Sequence, residues 1–330
     1  MMVGTGNAKE EASAKNRYLC GLYAGFAPVS RNGFHIPAPA SRASFPPALP
    51  PCSPAGYNGG MHLGLENKVA LVTASSQGLG RACAETLARE GAKVVLTARR
   101  PDQLARAAQE IRQVMSVKGA EVHTVAGDVS LPEDINRMVK ATLARFGQLD
   151  ILVTNGGGPK PGTFESTTEA DWNEALSGTL WPVVRLIRQC LPHLQDAQAR
   201  GGGRIINIVS TSVKQPIAGL LLSNAIRPAV VGLARTLATE LAPQGILVNN
   251  VCPGSFDTAR IQTLYEARAQ TGGMTVETAA AQAAKAIPLG RLGNPNELGN
   301  LVAFLASERA GYITGQTISV DGGLVNSLFG

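Results

Sequence analysis

The run Thr73-Ala74-Ser75-Ser76-Gln77-Gly78-Leu79-Gly80-Arg81 has the residue types needed to hold a phosphate. Gly78 and Gly80 let the backbone approach a pyrophosphate closely, and the unpaired N–H groups and dipole of a following helix stabilise its charge. A glycine-rich turn alone is weak evidence, and its context strengthens it. Val69 to Thr73 reads as a strand, the apolar spacing of Ala82, Leu87 and Ala88 reads as a helix, and a second strand ends about 20 residues further on. After that strand, Lys93 to Thr97, come Arg99 and Arg100, where a carboxylate would hold a ribose 2′-hydroxyl. A guanidinium there pairs instead with a 2′-phosphate, so the spacing points to NADP in preference to NAD.

Other chemistries find less support. The five cysteines, at positions 20, 52, 83, 190 and 252, form no C-x-x-C pair, and the histidines at 35, 62, 123 and 193 do not lie near them at ligand spacing. No metal site is expected, and Cys83, Cys190 and Cys252 read as small buried apolar residues. The chain carries 30 Lys and Arg against 24 Asp and Glu, with no basic run and only 5% aromatic residues, which argues against nucleic acid as a partner. Apolar stretches are interrupted well before the roughly 18 residues that a membrane span needs, so no membrane is expected as a partner. We expect a cytoplasmic protein with reduced thiols.

Placing the glycine-rich loop requires a sheet. The 330 residues divide near Met61: residues 1–60 hold 8 Pro and 8 Gly without apolar period and are expected to form a disordered extension. Lys15 and Arg17 ahead of an apolar stretch raise a targeting reading, opposed by Glu10, Glu11 and internal glycines, and a passive upstream tail is favoured. Residues 61–330 alternate β-rich runs with amphipathic segments. Strands are expected at 69–73, 93–97, 122–126, 151–154, 204–209, 246–251 and 316–320, giving an α/β doubly wound Rossmann fold, a seven-stranded parallel sheet with helices on both faces. The last helix should start at Asn294-Pro295-Asn296-Glu297, an N-cap followed by Pro and an acid. Ligands should bind at the carboxyl ends of the strands.

Several spaced motifs occur together: T-A-S-S-Q-G-L-G, G-D-V-S at 127–130, T-N-G-G at 154–157, P-G-S-F-D-T at 253–258, and Y-I-T-G-Q-T-I-S-V-D-G-G from 312. Over about 61–323 the chain resembles the short-chain dehydrogenase/reductases, most of all the 3-oxoacyl-carrier-protein reductase branch. The resemblance implies that Thr73, Ser75, Gln77, Gly78, Leu79 and Gly80 hold the cofactor with Arg99 and Arg100. It also places Asp128 and Val129 beside the adenine, Asn155 and Gly156 behind the cofactor, and Pro253, Gly254, Phe256 and Thr258 at the nicotinamide. Ala74, Thr154 and Gly156 are mild departures from the family pattern. A homotetramer through the long helices of 170–200 and 223–241 is implied as well.

In that family a Ser, a Tyr and a Lys assist hydride transfer, with an Asn sustaining a water relay. Ser210, ending I-N-I-V-S, matches the serine, and its hydroxyl would polarise a carbonyl. The Tyr and Lys positions are Ser223 and Arg227, and the Asn position is Thr179. A phenol can be tuned toward neutrality by a nearby ammonium and a serine cannot, so binding survives these changes more easily than proton transfer. Arg227 can still donate to the nicotinamide ribose. Pro228 should delay or kink its helix. Lys160 and Lys214 are substitute proton donors to consider; Tyr265 falls in a helical lid at 258–288, and Leu220, Leu221 and Leu222 suggest an apolar approach. The expectation is an NADP-dependent oxidoreductase reducing a small-molecule carbonyl or acyl thioester, such as a 3-oxoacyl thioester of fatty acid metabolism. The second reading is an NADP-binding protein without turnover, a sensor or inactive assembly partner.

Overall fold

A computed structural model describes residues 62–328 except 116 and 118, so the expected extension at 1–60 lies outside the described residues. Seven strands form one parallel sheet: β1 Val69–Val72, β2 Lys93–Ala98, β3 Glu121–Ala126, β4 Ile151–Thr154, β5 Arg204–Ile208, β6 Leu247–Pro253 and β7 Thr317–Val320, in the order β3-β2-β1-β4-β5-β6-β7. Each expected strand is present, with ends displaced by two residues at most. The helices are α1 Gly78–Arg89, α2 Pro101–Val114, α3 Pro132–Phe146, α4 Glu169–Gln195, α5 Leu221–Leu241, α6 Ala259–Gly272, α7 Val276–Lys285 and α8 Pro295–Ala306.

The apolar runs dictate the layers. In β1 alternate side chains face opposite ways: Ala70 and Val72 join a core with Leu87, Leu104 and Val302 from α1, α2 and α8. Val69 and Leu71 pack with Met138, Leu186 and Val230 from α3, α4 and α5. A strand buried on both faces is apolar at nearly every position, which is why VALV and ILVT carry no alternation. Strand order reverses between β1 and β4, which opens a crevice at their carboxyl ends. Cys83, Cys190 and Cys252 are buried, and burial pushes their thiols up, that of Cys252 to about 11.

Two helices needed special residues. Pro228 was expected to delay or kink its helix, yet α5 starts at Leu221 and runs through the proline to Leu241, so the later start does not occur. The packed face made by Leu222, Ile226, Val230, Ala234 and Ala238 outweighs an interior proline's cost of about 3 kcal/mol. At α8, Asn294 accepts from Asn296 N at 3.0 Å while its own N–H donates to Glu297 Oε2 at 2.7 Å, the expected cap. Arg291 grips the same carboxylate with two N–H groups, at 2.7 and 2.9 Å.

The Arg291 bonds first, and the Asn294 N–H second, hold the Glu297 carboxyl down to about 2. A carboxyl depressed in the folded state stabilises it at pH values above the unfolded pKa, and that contribution fades as pH falls toward 2. Denaturant midpoints of wild type and Glu297→Gln should therefore differ by a constant amount above about pH 5 and converge on acidification. A gap that widens toward low pH would contradict this assignment.

Candidate active site

Two adjoining cavities open at the carboxyl ends of the strands, of about 660 and 960 Å³, and both are lined by Leu79, Asn155, Gly156, Gly158, Pro159, Thr258 and Arg260. The smaller runs from the β1–α1 loop to the loops after β2 and β3. Its wall includes Gln77, Gly78, Leu79, Arg99, Arg100, Asp128, Val129, Asn155, Gly156 and Thr258, all expected at the cofactor; Thr179, expected among the catalytic residues, lines this cavity too and not the one that holds Ser210. The structure places Thr73, Ser75 and Gly80 behind the wall. Thr73 is buried and its Oγ1 donates to Asn155 O at 2.7 Å; buried Ser75 donates to Val72 O at 2.8 Å and accepts from Thr97 N at 2.9 Å. Backbone groups consume both hydroxyls, so they shape the loop. A side chain at Gly80 would collide with the Ala74 carbonyl, so this glycine lets α1 pack closely on the loop.

The cleft suits a dinucleotide. Gln77, at the start of α1, makes no side-chain cap, so the first-turn N–H groups of α1 are left for a ligand's anion. Ala74 has φ +47°, left-handed backbone that costs a non-glycine residue roughly 1–2 kcal/mol, so the departure from glycine carries strain. At the far end Arg99 is exposed and 3.9 Å from Asp128, whose Oδ1 accepts from Ser130 N and Oγ; Arg100 is exposed beside it. Two loosely held guanidinium groups at this end match a 2′-phosphate.

The larger cavity brings together Ser210, Ser223, Arg227, Pro253, Gly254, Phe256 and the lid residues Ile261, Leu264 and Tyr265. Thus Pro253, Gly254 and Phe256, expected at the cofactor, wall the adjoining cavity. Ser210 follows β5, and its Oγ accepts from Ser212 N at 3.1 Å. One lone pair is thereby engaged, and the O–H is left to donate into the cavity. Ser223 is buried with its Oγ 3.1 Å from Ser212 Oγ, so its hydroxyl is engaged inside the protein.

Arg227 donates from Nη1 to Val209 O at 2.8 Å, while its Nε is buried without a partner. Burial, and then the charge of Arg260, push its guanidinium down to about 10, still a cation at neutral pH.

Other candidates stand apart. Lys160 pairs with Asp171 at 2.9 Å, a carboxylate held down to about 2 by the Thr168 N–H first and the Lys160 bond second. It is thereby tied to the start of α4, where Asp171 and Thr168 form a capping box. Lys214 acts on Cys252, behind Ser210, and does not line the cavity. The three leucines divide: Leu220 lines the cavity, while Leu222 is fully buried against Ala175 and Ile226. The lid is two helices, α6 and α7, and Tyr265 packs between them with Ala269 and Ala279.

Two features escaped the sequence reading. Thr154, Asn207, Asn250 and Thr317 are paired neighbours across β4, β5, β6 and β7, and their side chains form a buried ladder with bonds of 2.7, 3.0 and 3.0 Å. It fixes strand register immediately below the site, and its signal was a polar residue within each of these otherwise largely apolar strands. Arg260, near the start of α6, lies across Gly158, where any side chain would collide with its guanidinium. Among the described residues no cluster of three or more His, Cys, Asp or Glu is placed to hold a metal, and no helix is long and apolar enough to cross a membrane.

Residues 73–325 match the family model described as enoyl-(acyl carrier protein) reductase. The chain is 35% identical over 266 residues to rabbit (Oryctolagus cuniculus) dehydrogenase/reductase SDR family member 4, covering 80% of this chain and 96% of that protein. It is 36% identical over 262 residues to a 3-oxoacyl-[acyl-carrier-protein] reductase of Vibrio cholerae, covering 79% and 99%. Among solved structures, L-sorbose reductase from Gluconobacter frateurii, complexed with NADPH and L-sorbose, superposes with a TM-score of 0.76 at 34% identity, covering 81% of this chain and all of that one.

Proposed function

Because the chain belongs to the short-chain dehydrogenase/reductase family, we propose that it binds NADPH and reduces the carbonyl group of a small molecule. The observation that carries this reading is a free Ser210 hydroxyl in a cavity that adjoins a complete dinucleotide cleft. NADPH is favoured by Arg99 and Arg100 and by the NADPH complex of the sorbose reductase. Bound there, the cofactor would supply a hydride for the carbonyl carbon, and the oxygen would take a proton to give the alcohol.

The chain's own residues divide the remaining work. The uncapped start of α1 faces the pyrophosphate, Arg99 and Arg100 the 2′-phosphate, and Asn155 with Gly156 the back of the cleft. Ser210 donates to the carbonyl oxygen, orienting and polarising it. With Ser223 bonded to Ser212 and Lys160 to Asp171, the proton comes from solvent in the cavity. The family relatives support a 3-oxoacyl thioester as one trial substrate. A homotetramer through α4 and α5 fits an exposed Trp181 on α4, and a cytoplasmic location accords with the buried free thiols.

The second reading, NADP binding without turnover, draws on the same engaged Ser223. Installing a phenol and an ammonium tests whether the proton relay alone is weak. Ser223→Tyr with Arg227→Lys should raise the rate of NADPH-dependent carbonyl reduction at least tenfold, since positioned acids contribute about 10²–10⁴-fold. No gain, with NADPH binding retained, would count against slow proton delivery as the defect.

A further inference from the structure

The larger cavity has an unusual charge pattern. Among the described residues lining it there are two arginines, Arg227 and Arg260, and no aspartate, glutamate, lysine or histidine. Every other lining group is neutral, and Ile208, Ile217, Leu220 and Leu264 make much of the surface apolar. Burial of the Arg227 guanidinium is unfavourable unless something negative joins it, whereas Arg260 reaches the cavity from an exposed position. Among the described residues no carboxylate pairs with either guanidinium, whereas Arg99, at the adenine end of the other cavity, faces Asp128.

The two arginines are also positioned by the fold. Arg227 is tethered through Nη1 to the end of β5, and its buried Nε has no partner. Arg260 is laid over the 156–159 loop because Gly158 leaves room for it, and it sits where the two cavities meet. They are close enough that the charge of Arg260 opposes that of Arg227. The cofactor's phosphates do not account for the pair, because Arg227 does not line the smaller cavity, where the uncapped start of α1 and Arg99 with Arg100 stand.

We propose that the larger cavity binds a carbonyl compound bearing its own carboxylate, an oxo acid, with that carboxylate held between Arg227 and Arg260. The fork of a guanidinium pairs with a carboxylate through two parallel bonds, and a second guanidinium completes the neutralisation. An apolar body then lies along Leu220 and Leu264, with the carbonyl at Ser210. This rests on the reductase reading and narrows its substrate from a thioester to a free acid.

The test separates binding from turnover. Titration calorimetry of the full chain loaded with NADP+ would compare 2-oxo-4-phenylbutanoate with its ethyl ester, and 3-oxohexanoate with its ethyl ester. At least one acid should bind tenfold or more tightly than its ester, Arg260→Ala should erase that gap, and Arg260→Lys should keep part of it. Absence of a gap for both pairs, a gap that persists in Arg260→Ala, or a variant that weakens NADPH as much as the acid would overturn the proposal. NADPH consumption measured with the same compounds tests the reading beneath it. A binding gap with no consumption would keep the anion site and reject the reductase, while equal consumption of acid and ester without a gap would do the reverse.

Discussion

Ser210→Ala is expected to leave NADPH affinity unchanged and to lower the rate of carbonyl reduction about 100- to 1,000-fold, the range seen when one oxyanion donor is removed. The reason lies in how the hydroxyl is held. Ser212 N donates to Ser210 Oγ at 3.1 Å, which settles the serine's accepting role and leaves its proton for the substrate. Here Ser223 is bonded to Ser212, so the loss should fall almost entirely on one residue. Equilibrium titration of NADPH by fluorescence and single-turnover rates, measured side by side on the variant, check both halves. Equal rates in wild type and variant would remove Ser210 from the chemistry.

The second large effect concerns cofactor choice. Arg99→Ala combined with Arg100→Ala should weaken NADPH binding roughly thirtyfold and NADH binding by much less. A hydrogen bond to a charged group contributes about 1.5–3 kcal/mol. Both side chains are exposed, so water and salt reduce the sum for the pair. The weakening should shrink further at high ionic strength. If the double variant loses NADPH and NADH equally, the two arginines contact something other than the 2′-phosphate.

Which parts could be read from sequence follows from the range of the interactions. The strands and the cap at Asn294 depend on neighbours a few residues apart, and they were legible. The dinucleotide cleft was legible where short contiguous stretches line it: the loop before α1, the strand end bearing Arg99 and Arg100, and the turns at 127–130 and 155–156. Thr73 and Ser75 belong to the same loop, but residue type alone does not tell whether a hydroxyl faces a ligand or a backbone carbonyl; here Asn155 O and Val72 O take them. Pro228 shows tertiary packing overriding a local preference.

The larger cavity was harder because its parts meet only in three dimensions. Ser212 capturing Ser223 and Arg260 crossing Gly158 each join segments 11 residues apart or more. The Thr154-Asn207-Asn250-Thr317 ladder is the same kind of feature, since its members become neighbours only through strand pairing. The sequence names Ser223 and Arg227 but not the groups that each one meets. It could not locate a pair of cations on one wall, because one is on α5 and the other on α6.

The central claim is that a complete cofactor cleft still serves reduction at Ser210 without the phenol. The most direct measurement mixes excess full-length protein with NADPH deuterated at the transferred C4 position and offers an acetoacetyl thioester or the oxo acids above. The alcohol would then be analysed by mass spectrometry. The account predicts one deuterium in the product from at least one of these carbonyls, appearing about 100- to 1,000-fold more slowly with Ser210→Ala. Saturable NADPH binding with no deuterium transferred to any of them would contradict it and leave a cofactor-binding protein that does not turn over.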